Sequence, residues 1–168
     1  YVGLMCNLYA ERASAGEVAA HFGAPAPASL EFSDEVRPGA SGLIMREGRS
    51  GRVLQSLRWG FPYPQRLQAD PPSRAKPVNL VANLTSPMWK KLIPDPRYRC
   101  IIPLTAFAEP EGVPGSKTRT WFSIPEEPIF GWAGFCRNTL EEGPVYAGMT
   151  RESTPQVAPL NPRMPALL

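Results

Sequence analysis

Cys6 is the residue of this 168-residue chain whose surroundings point most directly to covalent chemistry. It follows Met5, so if Met5 is the start, its removal gives the cysteine a free α-amine beside the thiol. An aldehyde condenses with such an amine to an imine, and the thiol then closes a five-membered thiazolidine. An α-amine titrates at about pH 8 and is therefore partly neutral under physiological conditions. The alternative for Cys6 is a small buried hydrophobic residue near the end of a strand.

Glu109 and a proline-rich loop supply further polar candidates. Glu109 ends an apolar segment that starts at Cys100, and partial desolvation there would raise its pKa toward neutrality, as a general acid or base requires. An ordinary turn residue ahead of Pro110 is the alternative. Asn161 and Arg163 lie among three prolines, which can hold both side chains at a site entrance or form a rigid connector.

The segment Arg58-Trp59-Gly60-Phe61-Pro62 combines an arginine, two aromatic residues and a glycine. Such residues can stack on bases and approach phosphate without reading sequence. Core packing of Trp59 is the alternative. The pattern therefore makes Arg58 and Trp59 candidate contacts to a nucleic acid.

The remaining reactive residue types exclude several kinds of site. The single histidine, His21, lies on a predicted helix beside Phe22, and we interpret it as structural or surface-exposed. One histidine and three widely separated cysteines do not form a recognisable metal site, so no metal or other cofactor is expected. The odd number of cysteines favours reduced thiols in the cytoplasm. A cysteine peptidase would require His21 to approach Cys6, which we consider the weakest hypothesis.

The amino-acid composition limits the classes of protein to which this chain can belong. The chain is 43% hydrophobic with a net charge of +3, and it has neither an apolar run long enough for a membrane span nor a recognisable signal peptide. We expect a soluble protein, and its charge permits an anionic partner without requiring one. The 21 prolines argue against long helices and coiled coils.

Local patterns predict short strands and few helices. Ser14 and Glu17 have the spacing of a capping box, and Ser86 followed by Pro87 is typical of a helix start. The predicted helices cover residues 14–22 and 87–93, and the predicted strands cover residues 42–47, 52–59, 98–103, 120–124, 129–135 and 145–149. Turns are predicted at 47–51, 111–116 and 138–143, and an extended loop at 61–77. The fold class is α+β, with mostly antiparallel strands in a barrel or two packed sheets and a single domain over residues 1–168.

Six segments, in order along the chain, together resemble the SOS response-associated peptidase (SRAP) family. They are MCNLY (5–9), RPG (37–39), RWGFP (58–62), Asn83 through SPMW (86–89), RCIIP (99–103) through FAE (107–109), and residues 157–165. The resemblance spans nearly the whole chain.

This resemblance implies a protein that crosslinks itself to abasic sites in single-stranded DNA through an amino-terminal cysteine and shields the lesion. By resemblance, Cys6 forms the thiazolidine, and Glu109 moves protons and also serves a self-cleavage that frees the cysteine. Pro38 and Trp59 correspond to residues that wedge or stack against bases, and Thr150 and Arg163 correspond to residues near the lesion or phosphate. The implied enzyme is a lyase or hydrolase, without a cofactor, and we expect a monomer in the cytoplasm near the nucleoid.

The sequence departs from the family pattern at three positions. An Asn-x-Arg element aligns with Leu80 and Ala82, and the nearest asparagine, Asn79, is one residue early. The family histidine aligns with Asn161, which cannot exchange a proton near neutral pH, so we expect slow crosslink reversal. A catalytically degenerate, non-covalent single-stranded DNA-binding module is therefore the alternative function.

We also have expectations for the two ends of the chain. Residues 1–5 precede Cys6, and we expect them to be either a leader that is removed or residues foreign to the native start. The chain ends within the apolar run 164–168, and we expect it to be truncated there, with a naturally short member as the alternative.

Overall fold

Short strands joined by tight turns form most of the molecule, in accord with its proline content. The structure is a computed structural model that describes residues 6–63 and 77–168. Its helices are α1 (Ala15–His21) and α2 (Pro87–Lys90), with a 3₁₀ turn at Pro96–Tyr98. Its strands are β1 (Tyr9–Ala10), β2 (Glu35–Val36), β3 (Ser41–Gly48), β4 (Gly51–Trp59), β5 (Leu80–Val81), β6 (Arg99–Leu104), β7 (Ala106–Glu111), β8 (Thr118–Phe122), β9 (Phe130–Thr139), β10 (Gly143–Glu152) and β11 (Arg163–Pro165).

The strands form two sheets. The smaller sheet has the order β2-β1-β7-β8, and all of its pairs are antiparallel. The larger has the order β11-β10-β4-β3-β6-β9, and β9 also pairs with β10, so five strands form a closed ring of pairings. Among the strands of the described residues, only the pairings of β10 with β4 and β5 are parallel. The predicted α+β class, with mostly antiparallel strands and a few short helices, is confirmed.

Local sequence signals account for the elements that the sequence analysis predicted. The capping box at α1 is complete, since the Glu17 N–H donates to Ser14 Oγ at 3.2 Å and the Ser14 N–H donates to Glu17 Oε2 at 2.8 Å. The β3–β4 hairpin turns at Arg49 and Ser50, and Gly51, which follows the turn, has a φ of 113° that favours glycine. Both of these elements lie where the sequence predicts them.

Other elements differ from the predictions. Helix α2 ends at Lys90, before the predicted residue 93, although the Leu92 N–H still donates to the Trp89 carbonyl at 2.8 Å. Strand β7 extends to Glu111, where a turn is predicted, because its pairing with β8 continues past Pro110. The six-residue β7 and the strands of two or three residues were not predicted. Two or three residues are too few to show periodicity. Most of the predicted 61–77 loop, and the expected leader, lie outside the described residues.

Four interlocked aromatic residues fill the centre of the core. Tyr9 packs edge-on against Trp59 and Trp132, with ring centroids 5.1 and 5.8 Å apart. Tyr146 stacks with Trp59 and shares a short hydrogen bond with the Tyr9 hydroxyl. Gly148 leaves room for Trp132, because a Cβ at this position would lie 1.9 Å from Cζ2 of the indole. None of the described helices is long and apolar enough to cross a membrane.

Candidate active site

The pairing of β1 with β7 brings the start of the described chain to Glu109. Tyr9 pairs with Phe107, and one residue further the Ala108 N–H donates to the Leu8 carbonyl at 3.0 Å. In this antiparallel register, the residues that precede Leu8 run alongside the end of β7. Cys6 and Glu109, which are 103 positions apart in the sequence, therefore become neighbours.

The Cys6 thiol is buried in a polar environment of backbone carbonyls and one carboxyl group. Its Sγ donates to the Leu8 carbonyl at 3.5 Å and to the Ala108 carbonyl at 3.8 Å, and the residue is 1% exposed. Burial raises the pKa of the thiol well above its ordinary value, and the nearby Glu109 carboxylate raises it further. The thiol is therefore protonated near neutral pH, and a nucleophilic step at Cys6 requires a proton acceptor beside it.

Glu109 meets that requirement. Its side chain is fully buried in β7, and Asn161 Nδ2 donates to its Oε2 at 2.9 Å. Burial raises the pKa of Glu109 from 4.5 to about 7, although the Asn161 amide and the Cys6 thiol oppose the rise. A carboxyl group that titrates near neutrality can both accept and donate a proton, as the sequence analysis expected for Glu109.

Asn161 connects Glu109 to a second polar group. Its Oδ1 accepts the Arg163 N–H at 3.0 Å, so both ends of the amide are engaged and its orientation is defined. The Arg163 guanidinium donates from Nη2 to the Thr150 carbonyl at 2.7 Å and to Thr150 Oγ1 at 3.0 Å. The pairing of β10 with β11 sets this contact. The structure thus brings together five of the predicted site residues: Cys6, Glu109, Thr150, Asn161 and Arg163.

The asparagine that precedes β5 also lies beside the start of the described chain. Asn79 Nδ2 donates to Asn7 Oδ1 at 3.3 Å, and the Asn79 carbonyl accepts the Gly148 N–H at 3.0 Å. Leu80 is buried in the core, and Ala82 is exposed, with its carbonyl 3.5 Å from Arg163 Nη2. Asn79, rather than Leu80 or Ala82, therefore presents a polar side chain next to the segment that contains Cys6.

The predicted stacking of Trp59 on DNA bases is wrong for this structure. Trp59 is 0% exposed, and its Nε1–H donates to the Asn79 carbonyl at 2.9 Å. The indole is part of the aromatic core, so no base can reach its face. Arg58 is exposed but pairs with Glu142 at 2.5 Å. Pro38 is half-buried in the turn before β3, and no described contact joins Pro38 or Arg58 to Cys6.

His21 and the other two cysteines lie apart from this group. His21 is exposed on α1 and packs edge-on against Phe22 at 4.8 Å, as the sequence analysis expected. No described contact joins it to Cys6, so nothing favours a Cys-His pair. Cys100 and Cys136 are buried free thiols. The described residues contain no group of three side chains that could hold a metal ion.

Asn7 is the site residue that the sequence analysis missed. Its side chain contacts Asn79, and its backbone follows Cys6 directly. Its position next to the candidate nucleophile was the only available signal. A contact between residues 72 positions apart could not be read from the sequence.

Comparison with known proteins adds a family and a fold. A family model described as SOS response associated peptidase (SRAP) matches residues 5–168. A protein of known structure from Bacteroides thetaiotaomicron is 22% identical, with a TM-score of 0.79 over 97% of this chain and 77% of that one. A protein from Bordetella bronchiseptica is 20% identical, with a TM-score of 0.76 over 97% and 83% of the two chains.

A phage-related protein from Bordetella bronchiseptica is 17% identical, with a TM-score of 0.72 over 97% of this chain and 77% of that one. At these identities the likeness shows a shared fold. No curated protein matches the chain.

Proposed function

Because this chain belongs to the SOS response-associated peptidase family, we propose that it crosslinks abasic sites in single-stranded DNA through Cys6. Family membership associates the chain with the SOS response. The observation that carries the finer proposal is the buried Cys6 thiol beside Glu109, a carboxyl group with a pKa of about 7 that Asn161 orients. A thiol with a raised pKa beside a proton acceptor suits addition to an activated carbon such as an imine.

The proposed reaction begins once residues 1–5 are removed and Cys6 carries a free α-amine. The amine attacks the open-chain aldehyde of the abasic deoxyribose to give a carbinolamine. Protonated Glu109 then donates a proton to the departing hydroxyl group, so that one water leaves, an iminium ion forms and Glu109 becomes a carboxylate. The Cys6 sulfur adds to the iminium carbon as its proton passes to the Glu109 carboxylate, and the nitrogen keeps the hydrogen that it already carries. The net change is the loss of one water and the formation of one C–N and one C–S bond.

Two further groups suit the binding of the DNA strand. Arg163 is held by Thr150 on one side of Glu109 and offers a cation for a phosphate of the lesion strand. Asn79 and Asn7 offer amide donors and acceptors beside Cys6, as a sugar hydroxyl requires. Neither group reads base identity, which suits recognition of a nucleotide that has no base.

The same carboxyl group supports the peptidase activity in the family name. We propose that Glu109 activates a water molecule for cleavage of the bond before Cys6, which frees the α-amine that the crosslink needs. Asn161 has no titratable group near neutral pH, so this site lacks a second acid for ring opening. The proposal therefore includes slow reversal of the crosslink.

The test uses protein whose first residue is Cys6, verified by intact mass, together with single-stranded DNA that carries one abasic site. The expected adduct has the mass of protein plus DNA minus one water. Cys6→Ala should abolish it. Glu109→Gln should slow its formation by about 100-fold, as is typical when a general acid or base is lost. DNA with a tetrahydrofuran in place of the abasic sugar has no aldehyde and should give no adduct.

The controls separate the two candidate functions. Glu111→Gln removes an exposed carboxylate from the same strand and should leave the rate unchanged. If no adduct forms with verified amino-terminal Cys6, the covalent function is excluded. Salt-sensitive binding of intact and abasic strands with equal affinity would then favour the non-covalent module, for which Leu80, Ala82 and Asn161 are the motivating departures.

A further inference from the structure

A cavity with three arginines in its lining lies near the start of β10, at the end of the five-strand ring away from Thr150. The candidate active site lies at the Thr150 end of β10, whereas this cavity lies at Pro144, near the start of the same strand. Pro144 and Thr150 are six positions apart on β10, which corresponds to roughly 20 Å along an extended strand. The cavity has a volume of about 300 Å³, at the lower end of the range for small-molecule sites.

The described lining of this cavity is basic. It contains Arg46, Arg97 and Arg137 and no carboxylate. Two of these arginines have partners outside the cavity, since Arg97 forms an ion pair with Asp95 at 2.7 Å and the Arg137 guanidinium lies over the Phe61 ring. Arg46 forms no ion pair among the described residues, and neither does Arg137, whose contact is with a neutral ring.

The Arg46 guanidinium is oriented and incompletely used. Its Nε–H donates to Gln55 Oε1 at 2.6 Å, and Nη1 lies 3.4 Å from the Glu47 carbonyl. Among residues 6–63 and 77–168, no hydrogen bond is formed by Nη2. A half-buried guanidinium with a fixed plane and an open edge is a favourable donor for an oxyanion, because little side-chain entropy remains to be lost.

The Cys136 thiol lies close enough to Arg46 to feel its charge. Cys136 lines the same cavity. A hydrogen bond with Cys100 lowers the pKa of the Cys136 thiol, and the Arg46 charge lowers it further against the opposing effect of burial. An environment that stabilises a thiolate also stabilises other anions.

We propose that this distal cavity is a phosphate-binding site, in which the open edge of the Arg46 guanidinium holds the phosphate oxygens. The site is separate from the lesion chemistry and does not depend on it. The phosphate belongs either to a free small molecule or to the backbone of a nucleic acid strand, and the experiment distinguishes these sources.

Cys136 provides the reporter for the test. The full chain is treated with iodoacetamide in chloride buffer at constant ionic strength, with increasing inorganic phosphate in one series and an undamaged oligothymidylate in another. Mass spectrometry of tryptic peptides follows alkylation of Cys136 apart from that of Cys6 and Cys100. Bound phosphate should slow Cys136 alkylation saturably, and the midpoint gives the affinity.

Variants of Arg46 determine whether the cavity is responsible. Arg46→Gln should weaken phosphate binding by about ten-fold, the effect of losing a charged hydrogen bond. Arg46→Lys keeps the charge without the planar fork and should give an intermediate affinity. Arg119→Gln removes one exposed positive charge from β8, in the other sheet, and is the matched control. The phosphate-dependent rise in Tm of each variant is the second readout.

Each outcome decides the proposal. Saturable protection by inorganic phosphate that weakens in Arg46→Gln but not in Arg119→Gln supports a small-anion site. Protection by oligothymidylate alone, with the same dependence on Arg46, supports a backbone phosphate contact. Protection by neither ligand, or protection that is unchanged in both Arg46 variants, overturns the proposal. If Arg46→Gln does not fold, the wild-type titration and Arg46→Lys still decide it.

Discussion

Because Glu109 is a buried carboxyl group, the stability of this protein should decrease as the pH rises through the pKa of Glu109. In the folded protein the pKa of Glu109 is raised from 4.5 to about 7. Between these values the folded protein keeps a proton that the unfolded chain has released. The resulting stabilisation is complete below about pH 4.5 and is lost as the pH rises through about 7.

The size of the effect follows from the same two values. Each pH unit between the two pKa values changes the free energy of unfolding by about 1.4 kcal/mol. The rise in pKa from 4.5 to about 7 therefore corresponds to roughly 3 kcal/mol. Glu109→Gln removes this titration and keeps an oxygen that can accept the Asn161 amide. The free energy of unfolding of the variant minus that of the wild type should therefore increase by roughly 3 kcal/mol between about pH 4.5 and pH 8.

Urea unfolding at several pH values measures this difference. The buried Glu11, whose pKa burial also raises to about 7, is present in both proteins and cancels from the comparison. Glu141→Gln, in the exposed turn before β10, removes one carboxyl group away from the candidate active site and is the matched control. A difference between Glu109→Gln and wild type that stays constant within about 0.5 kcal/mol over this range would refute a raised pKa for Glu109.

Three further substitutions test the fold and the site. Gly148→Ala places a methyl group against Trp132 and should destabilise the protein by about 3 kcal/mol or more, or prevent folding, as urea unfolding or the soluble yield will show. Ser14→Ala removes the α1 cap and should lower the unfolding free energy by about 1 kcal/mol in the same assay, with no change expected at the candidate active site. Asn161→Ala removes a hydrogen bond that lowers the pKa of Glu109, so that pKa should rise, and an unchanged ¹³C-carboxyl NMR titration would contradict the role assigned to the amide.

Arg163 and Arg46 differ in whether they are connected to Glu109. Arg163 is tied to β10 through Thr150 and shares the Asn161 amide with Glu109, so a change there should reach the proposed reaction. Arg46 lines the cavity near the start of β10, at the end of the ring away from Thr150. We therefore expect substitutions at Arg46 to leave the crosslinking rate unchanged.

Much of the fold could be predicted because its signals are local. The capping box of Ser14 and Glu17 defines the start of α1 by contacts three residues apart, and the hairpin at Gly51 needs only adjacent residues. Strands β6, β9 and β10 have apolar, β-branched segments long enough to recognise. Strands β1 and β5 have two residues each and exist because a distant strand supplies their hydrogen bonds.

For the site, the sequence by itself determined the reagents: a cysteine near the start, a carboxylate after an apolar segment, and Asn161 and Arg163 in a proline-rich run. The tertiary structure decided which of these residues lie close together and which are buried. The β1–β7 register brings Cys6 to Glu109, burial raises the pKa of Glu109 to about 7, and the core takes Trp59 away from any ligand. The reason is physical: residue type sets which reaction a group can perform, whereas proximity and desolvation arise only when distant strands pair and exclude water.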